Sequence, residues 1–170
     1  MPQRPAPAEF APYYARYVDR VPDGDVLATL ESLMPTTRAF LDSIGEARSG
    51  QPAAPGKWSL KQVVGHLSDT ERVFAYRAMR IGRGDTTPLP GFEQDDYVRA
   101  GRFNERSLVS LADELADVRR ATLRLLRNLP DDAWTRSGTA SGVPVTANAL
   151  AYLIAGHAIH HLELARTQFA

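Results

Sequence analysis

The chain has 170 residues, 44% of them hydrophobic, with 20 Lys plus Arg balanced by 20 Asp plus Glu and with no cysteine. This length and apolar content suit one domain with a continuous core; zero net charge gives no electrostatic footprint for a phosphate backbone or an anionic membrane. No apolar run approaches the ~20 residues of a bilayer span, and without cysteine any metal must be held by nitrogen and oxygen. The expectation is a soluble, cytoplasmic single domain over 1–170 that binds neither nucleic acid nor membrane.

Residues 1–24 contain five prolines and the cluster Tyr13, Tyr14 and Tyr17, which predicts an N-terminal arm with one helical turn lying on the main body. The opening stretch is proline-rich and lacks the basic-then-apolar pattern of a secretory leader. From Asp25, Leu27, Leu30, Met34, Phe40, Leu41 and Ile44 recur at steps of three and four, predicting a first helix with a kink at Pro35. Gly45 to Lys57 is rich in Gly, Pro and Ser and is expected to be a loop.

Ser59 followed three residues later by Gln62 has capping-box spacing, and a second helix runs from it through Leu60, Val63, Val64, Leu67, Phe74 and Ala78 until Gly84. Residues 84–103 lack a steady period and are expected to cross the bundle and cover a site. A third helix begins near Ser107, carries Leu108, Leu111, Leu115, Val118, Thr122, Leu125 and Leu129, and ends before Pro130. Trp134 anchors the next connection, and Thr146 caps a last helix through Leu150, Leu153, Ile154, His157, His161 and Leu164. With no strand pattern and no internal repeat, the fold class is all-α, a four-helix bundle.

The four histidines carry the chemistry. His157 and His161 are four apart, offset by about 40° on one helical face, and share it with Leu150, Leu153, Ile154 and Leu164, so both are expected to point inward. His160 lies to the side of that face. On the second helix His66 shares a face with Val73 and Arg77 and, less closely, with Asp69, Thr70 and Arg80. Polar groups on a buried face need partners or a wet cavity, because each unpaired one costs about 1–3 kcal/mol. Three neutral imidazoles suit Zn, Ni or Fe(II) and leave positions open for water or substrate. The bland alternative is three hydrogen-bonded core histidines with no metal. Ala158 stands where a metalloprotease H-E-x-x-H helix needs its glutamate, and no Glu-x-x-His occurs, which excludes that protease motif and the di-iron bundle pattern.

The stretch Trp58-Ser-Leu-Lys-Gln-Val-Val-Gly-His66-Leu-Ser-Asp69-Thr-Glu71-Arg-Val-Phe-Ala-Tyr-Arg77, with Gly156-His157-Ala-Ile-His160-His161-Leu some ninety residues on, resembles the DinB/YfiT-like superfamily. The Tyr13-Tyr14-x-x-Tyr17 arm with Val21-Pro22-x-Gly24-Asp25, and the Thr87-Pro88-Leu89-Pro90-Gly91-Phe92 crossover, extend that resemblance over nearly the whole chain. It implies an up-down-down-up bundle, often a homodimer, with one divalent metal per chain, commonly Zn or Ni with iron a further candidate, on His66, His157 and His161. It also implies activities ranging over S-transfer with bacillithiol or mycothiol, maleylpyruvate isomerisation and metal-dependent hydrolysis.

On this reading the metal activates a low-molecular-weight thiol or water. Arg77 anchors a carboxylate of the thiol, Asp69 accepts a hydrogen bond from a ligand histidine, and His160 moves protons. The plainer readings are that Arg77 pairs with Glu71 or Asp69, that Asp69 is solvated, and that His160 packs at a helix boundary. Tyr13, Tyr14, Tyr17 and Phe92 either wall the pocket or fasten the arm and crossover to the bundle. The alternative function is a non-catalytic, stress-related small-molecule binding module with a structural or regulatory metal.

Overall fold

The three- and four-residue apolar spacing is realised as four long helices in the computed structural model, which describes residues 2–169. They are α2 (Val26–Ser49), α3 (Leu60–Gly82), α5 (Leu108–Arg127) and α6 (Ala147–Phe169), with short α1 (Ala15–Val18) in the arm and α4 (Gln94–Ala100) in the crossover. Each long helix starts where a side chain can satisfy free backbone N–H groups. Asp25 accepts from Leu27 N at 2.8 Å, Ser59 and Gln62 form the reciprocal capping box, Ser107 accepts from Ser110 N at 3.1 Å, and Thr146 accepts from Ala149 N at 3.0 Å.

Contacts at the helix ends fix the directions. Glu46, near the end of α2, takes a hydrogen bond from Lys61 at the start of α3 and from Leu108 N at the start of α5 (2.7 Å), so α2 runs toward the end of the bundle from which α3 and α5 leave. Arg48 stacks over Phe169, so α6 finishes at that end too. The order is up-down-down-up. Parallel α3 and α5 therefore need the long crossover, and α3 lies antiparallel against α6.

Three details differ from the sequence reading. Backbone dihedrals stay helical through Pro35; the break falls at Gly45 (φ 73°, ψ 170°), and helix resumes through Ser49 instead of giving way to a loop. Only glycine tolerates that φ cheaply, and the bend is what turns the Glu46 carboxylate toward Lys61 and Leu108. The connection after α5 contains a hairpin, β1 (Ser137–Ala140) paired antiparallel with β2 (Val143–Thr146), where no strand was expected. Its two-residue turn, Ser141 (φ 53°) and Gly142 (φ 79°), has both residues left-handed, as a type I′ hairpin requires. Leu89 of the crossover bonds to this hairpin, its N–H donating to Thr139 O at 2.9 Å and its O accepting from Ser141 N at 3.0 Å. Finally, Leu164 is 41% exposed; contact with the other helices passes to Ala158, Leu162, Ala165 and Phe169.

The core has two apolar clusters. One gathers Leu30, Phe74, Ile81, Leu126, Leu150 and Leu153 beside the arm and hairpin; the other gathers Phe40, Leu41, Leu60, Leu67, Leu111 and Leu162 at the opposite end. On α6 the first ends at Ala155 and the second begins at Ala158, leaving His157 at the seam.

Candidate metal centre

Antiparallel packing of α3 on α6 brings His66 opposite His157 and His161. The Nε2 atoms of His66 and His157 stand 3.1 Å apart, and one ligand nitrogen from each of the three rings falls within 4.8 Å of the others. His66 and His157 are buried and His161 is half-buried. Burial of the rings disfavours the charged form, holding His66 down to about 4, His161 down to about 3, and His157 well below its ordinary range. The imidazoles are therefore neutral at pH 7, the state in which they donate to a metal.

Tetrahedral coordination at ~2.0–2.1 Å sets nitrogen ligands roughly 3.3 Å apart, so the spacing of His66 and His157 fits one ion and leaves His161 a short closing movement. No other group of three or more histidines and carboxylates among the described residues is close enough to compete.

Neighbouring residues hold these rings in place. The Thr70 hydroxyl lies 3.4 Å from His66 Nδ1, one helical turn on, while Nε2 of the same ring is turned to the cluster. Trp58 packs against the His66 ring in a tilted contact, with centroids 4.9 Å apart. Tyr17 packs edge-on against His157 at 5.4 Å and His160 at 5.5 Å. That contact depends on Gly156, because a Cβ there would lie 2.0 Å from the backbone oxygen of Tyr17 and would push α1 off α6. Arg16 lies over the Tyr13 and Tyr17 rings and donates to the Tyr17 hydroxyl at 2.9 Å.

The cluster opens on a cavity of about 530 Å³. Tyr13, Tyr14, Tyr17, Phe74 and Arg77 line it beside His66 and His157, and the crossover closes one side with Phe92, Glu93 and Gln94. The tyrosines and Phe92 wall the pocket, and the crossover covers it. A separate groove of about 270 Å³ between α2 and α5 contains no histidine, and its buried Arg119 is held by Glu71.

The other three sequence candidates sit differently. Arg77 is buried at the cavity, and its Nη2 donates to Pro90 O at 2.7 Å and to Ser141 Oγ at 2.9 Å; neither Glu71 nor Asp69 pairs with it. Asp69 has Arg72 as its partner at 3.6 Å, part of a network that continues to Glu114 and Arg106, and its carboxyl is pushed up by burial. The hydrogen-bond partner of His66 is Thr70. His160 is half-buried outside the three-ligand group, 5.1 Å from His161, and burial lowers its pKa.

The sequence model of the DinB superfamily matches residues 29–165, most of the chain and all four histidines. The chain belongs to the DinB superfamily. No functionally curated protein matches it in sequence. Among solved structures this DinB protein is similar to YfiT from Bacillus subtilis, described as a probable metal-dependent hydrolase with an unusual four-helix bundle topology. The TM-score is 0.70 at 19% identity, over 98% of this chain and 93% of that one. It is also similar to a mycothiol-dependent maleylpyruvate isomerase, with a TM-score of 0.69 at 16% identity over 87% of this chain and 62% of the isomerase. At such identities the likeness is one of fold. Thr70, Trp58 and Ser141 are neighbours in the DinB site that the sequence reading gave no role. The i, i+4 spacing of His66 and Thr70 was the signal available for the first, and no local pattern points to Ser141.

Proposed function

We propose that this DinB protein is a metal-dependent enzyme in which a divalent ion on His66, His157 and His161 activates a low-molecular-weight thiol or water for S-transfer or hydrolysis. The observation that carries this reading is the convergence of three neutral imidazoles at the wall of an open cavity. A bound divalent cation lowers the pKa of a thiol or water ligand and so supplies a nucleophile at neutral pH. Around that position Tyr17 and Phe74 present apolar ring surface that limits water, and Thr70 fixes the His66 ring. His160 stands beside His161 on the solvent side and is assigned the transfer of protons between the site and bulk water. The similarity to a mycothiol-dependent enzyme supports a thiol as the nucleophile. Zn or Ni fits the all-nitrogen donor set, with iron next. The reading includes cytoplasmic location and a homodimer, the latter checked by sedimentation velocity. No helix among the described residues is long and apolar enough to cross a membrane.

The test uses protein loaded with Co(II), whose absorption reports its ligands. Adding a small thiol is expected to produce a sulfur-to-cobalt charge-transfer band. A spectrum unchanged at saturating thiol and across the pH range of water ionisation would mean a closed, structural site, and the reading would give way to a binding module.

A further inference from the structure

Two arginines are buried to the same degree, Arg77 at 3% and Arg119 at 4% exposure, and the fold treats them differently. Arg119 receives a bidentate carboxylate: its Nε and Nη2 each donate to Glu71 at 2.7 Å, and its Nη1 donates to Leu30 O. Arg77 receives only neutral acceptors, Pro90 O and Ser141 Oγ, both on Nη2, and stands beside the Tyr14 phenol. No carboxylate among the described residues pairs with it. Burying an unpaired cation is costly, and proteins normally supply a counter-charge. Here the uncompensated guanidinium faces the cavity. Ser141 reaches it from a left-handed position in the hairpin turn.

The position of the charge relative to the histidines is also set. Arg77 lies eleven residues beyond His66, within about 20° of the same face of α3. The Phe74 ring stands between the two ends, 6.1 Å from the His157 ring and 5.8 Å from the Arg77 Cζ. The guanidinium and the imidazole are thus no farther apart than those two distances laid end to end. Glu93 is the other charged group at the cavity near Arg77; it is exposed at the mouth and makes no ion pair with it.

We propose that Arg77 is the anion-binding end of the cavity and that the ligand is an organic acid about two extended residues long, its carboxylate on Arg77 and its reactive end at the three histidines. The length is an upper bound: the two Phe74 distances laid end to end, less the ~4 Å that a carboxylate–guanidinium contact takes up, leave room for about two residues at ~3.5 Å per extended residue. The class follows from charge: one guanidinium neutralises a monoanionic carboxylate in fork geometry, whereas a phosphate dianion would remain half compensated. This inference rests on the cavity being a ligand site, but its test needs no metal.

Metal-free protein is titrated calorimetrically with N-acetyl-glycylglycine, with the amide of the same compound, and with inorganic phosphate. The acid is expected to bind at least ten-fold more tightly than the amide. R77Q is expected to abolish that difference and R77K to retain part of it, with melting curves confirming that both variants fold. Equal affinity for acid and amide in the parent, including no binding of either, overturns the proposal, as does an unchanged preference in R77Q. Phosphate binding more tightly than the acid overturns the assigned class. Loss of the metal site by itself changes none of these outcomes.

Discussion

At the scale of single residues, the three imidazoles are the most informative groups because burial keeps them neutral. Unfolded histidines take up protons as pH falls below about 6.5, while in the fold His66 refuses one until about 4 and His161 until about 3. The unfolded chain therefore binds more protons over that range, and stability falls as pH falls. Metal-free protein is expected to have a constant melting temperature above pH 7 and a declining one from pH 6.5 toward 4, with a shallower decline in His161→Asn. Thr70 holds His66 through one hydrogen bond, so Thr70→Val is expected to weaken metal affinity about 10-fold or more, measured by competition with a chromogenic chelator. Trp58 gives a local readout. With its ring 4.9 Å from His66, binding of Ni(II) is expected to quench its emission in a Trp134→Phe background and to leave a Trp58→Phe protein unquenched.

At the scale of elements, the fold depends on a few contacts between helices that no local pattern announces. Glu71 on α3 and Arg119 on α5 form a buried pair that also reaches Leu30 O on α2. Glu71→Ala would strand a buried cation and is expected to cost about 3–5 kcal/mol in denaturant unfolding, while a double replacement by apolar residues recovers most of it. Gly156→Ala places a methyl against the Tyr17 backbone and is expected to destabilise by about 1–3 kcal/mol and loosen Tyr17 from His157. What could be read in advance at this scale was local chemistry. Ser59 with Gln62 and Thr146 cap as expected, and Ser107, where the third helix was expected to begin, caps α5. The hairpin escaped because its strands are four residues each and Pro144 sits in the second, leaving the Ser141-Gly142 turn as its only cue. Pro35 outweighed Gly45 on paper. In the fold α2 absorbs the proline and breaks at the glycine, because the carboxylate that follows has two helix starts to serve.

At the scale of the whole molecule, topology makes the site. An up-down-down-up order sets α3 antiparallel against α6, and only then can a histidine six residues into α3 from Leu60 meet a pair that straddles the middle of α6. Helix periodicity could not supply that order; the resemblance of the Trp58 to Arg77 and Gly156 to Leu162 stretches to a known family did. Periodicity did place His157 and His161 together, but it could not show that their stripe leaves the bundle toward exposed Leu164, which is why His161 is half-buried and the site open. The same order runs the crossover past the cavity, where Leu89 ties it to the hairpin and Phe92 walls the pocket.

His66, His157 and His161 are proposed to hold one divalent ion. The direct measurement is metal content by elemental mass spectrometry on protein purified without a metal-binding tag, set beside a His157→Ala, His161→Ala double variant. About one metal per chain in the parent and close to none in a folded variant is the expected result. Equal metal in both, or none in the parent after reconstitution, would contradict it.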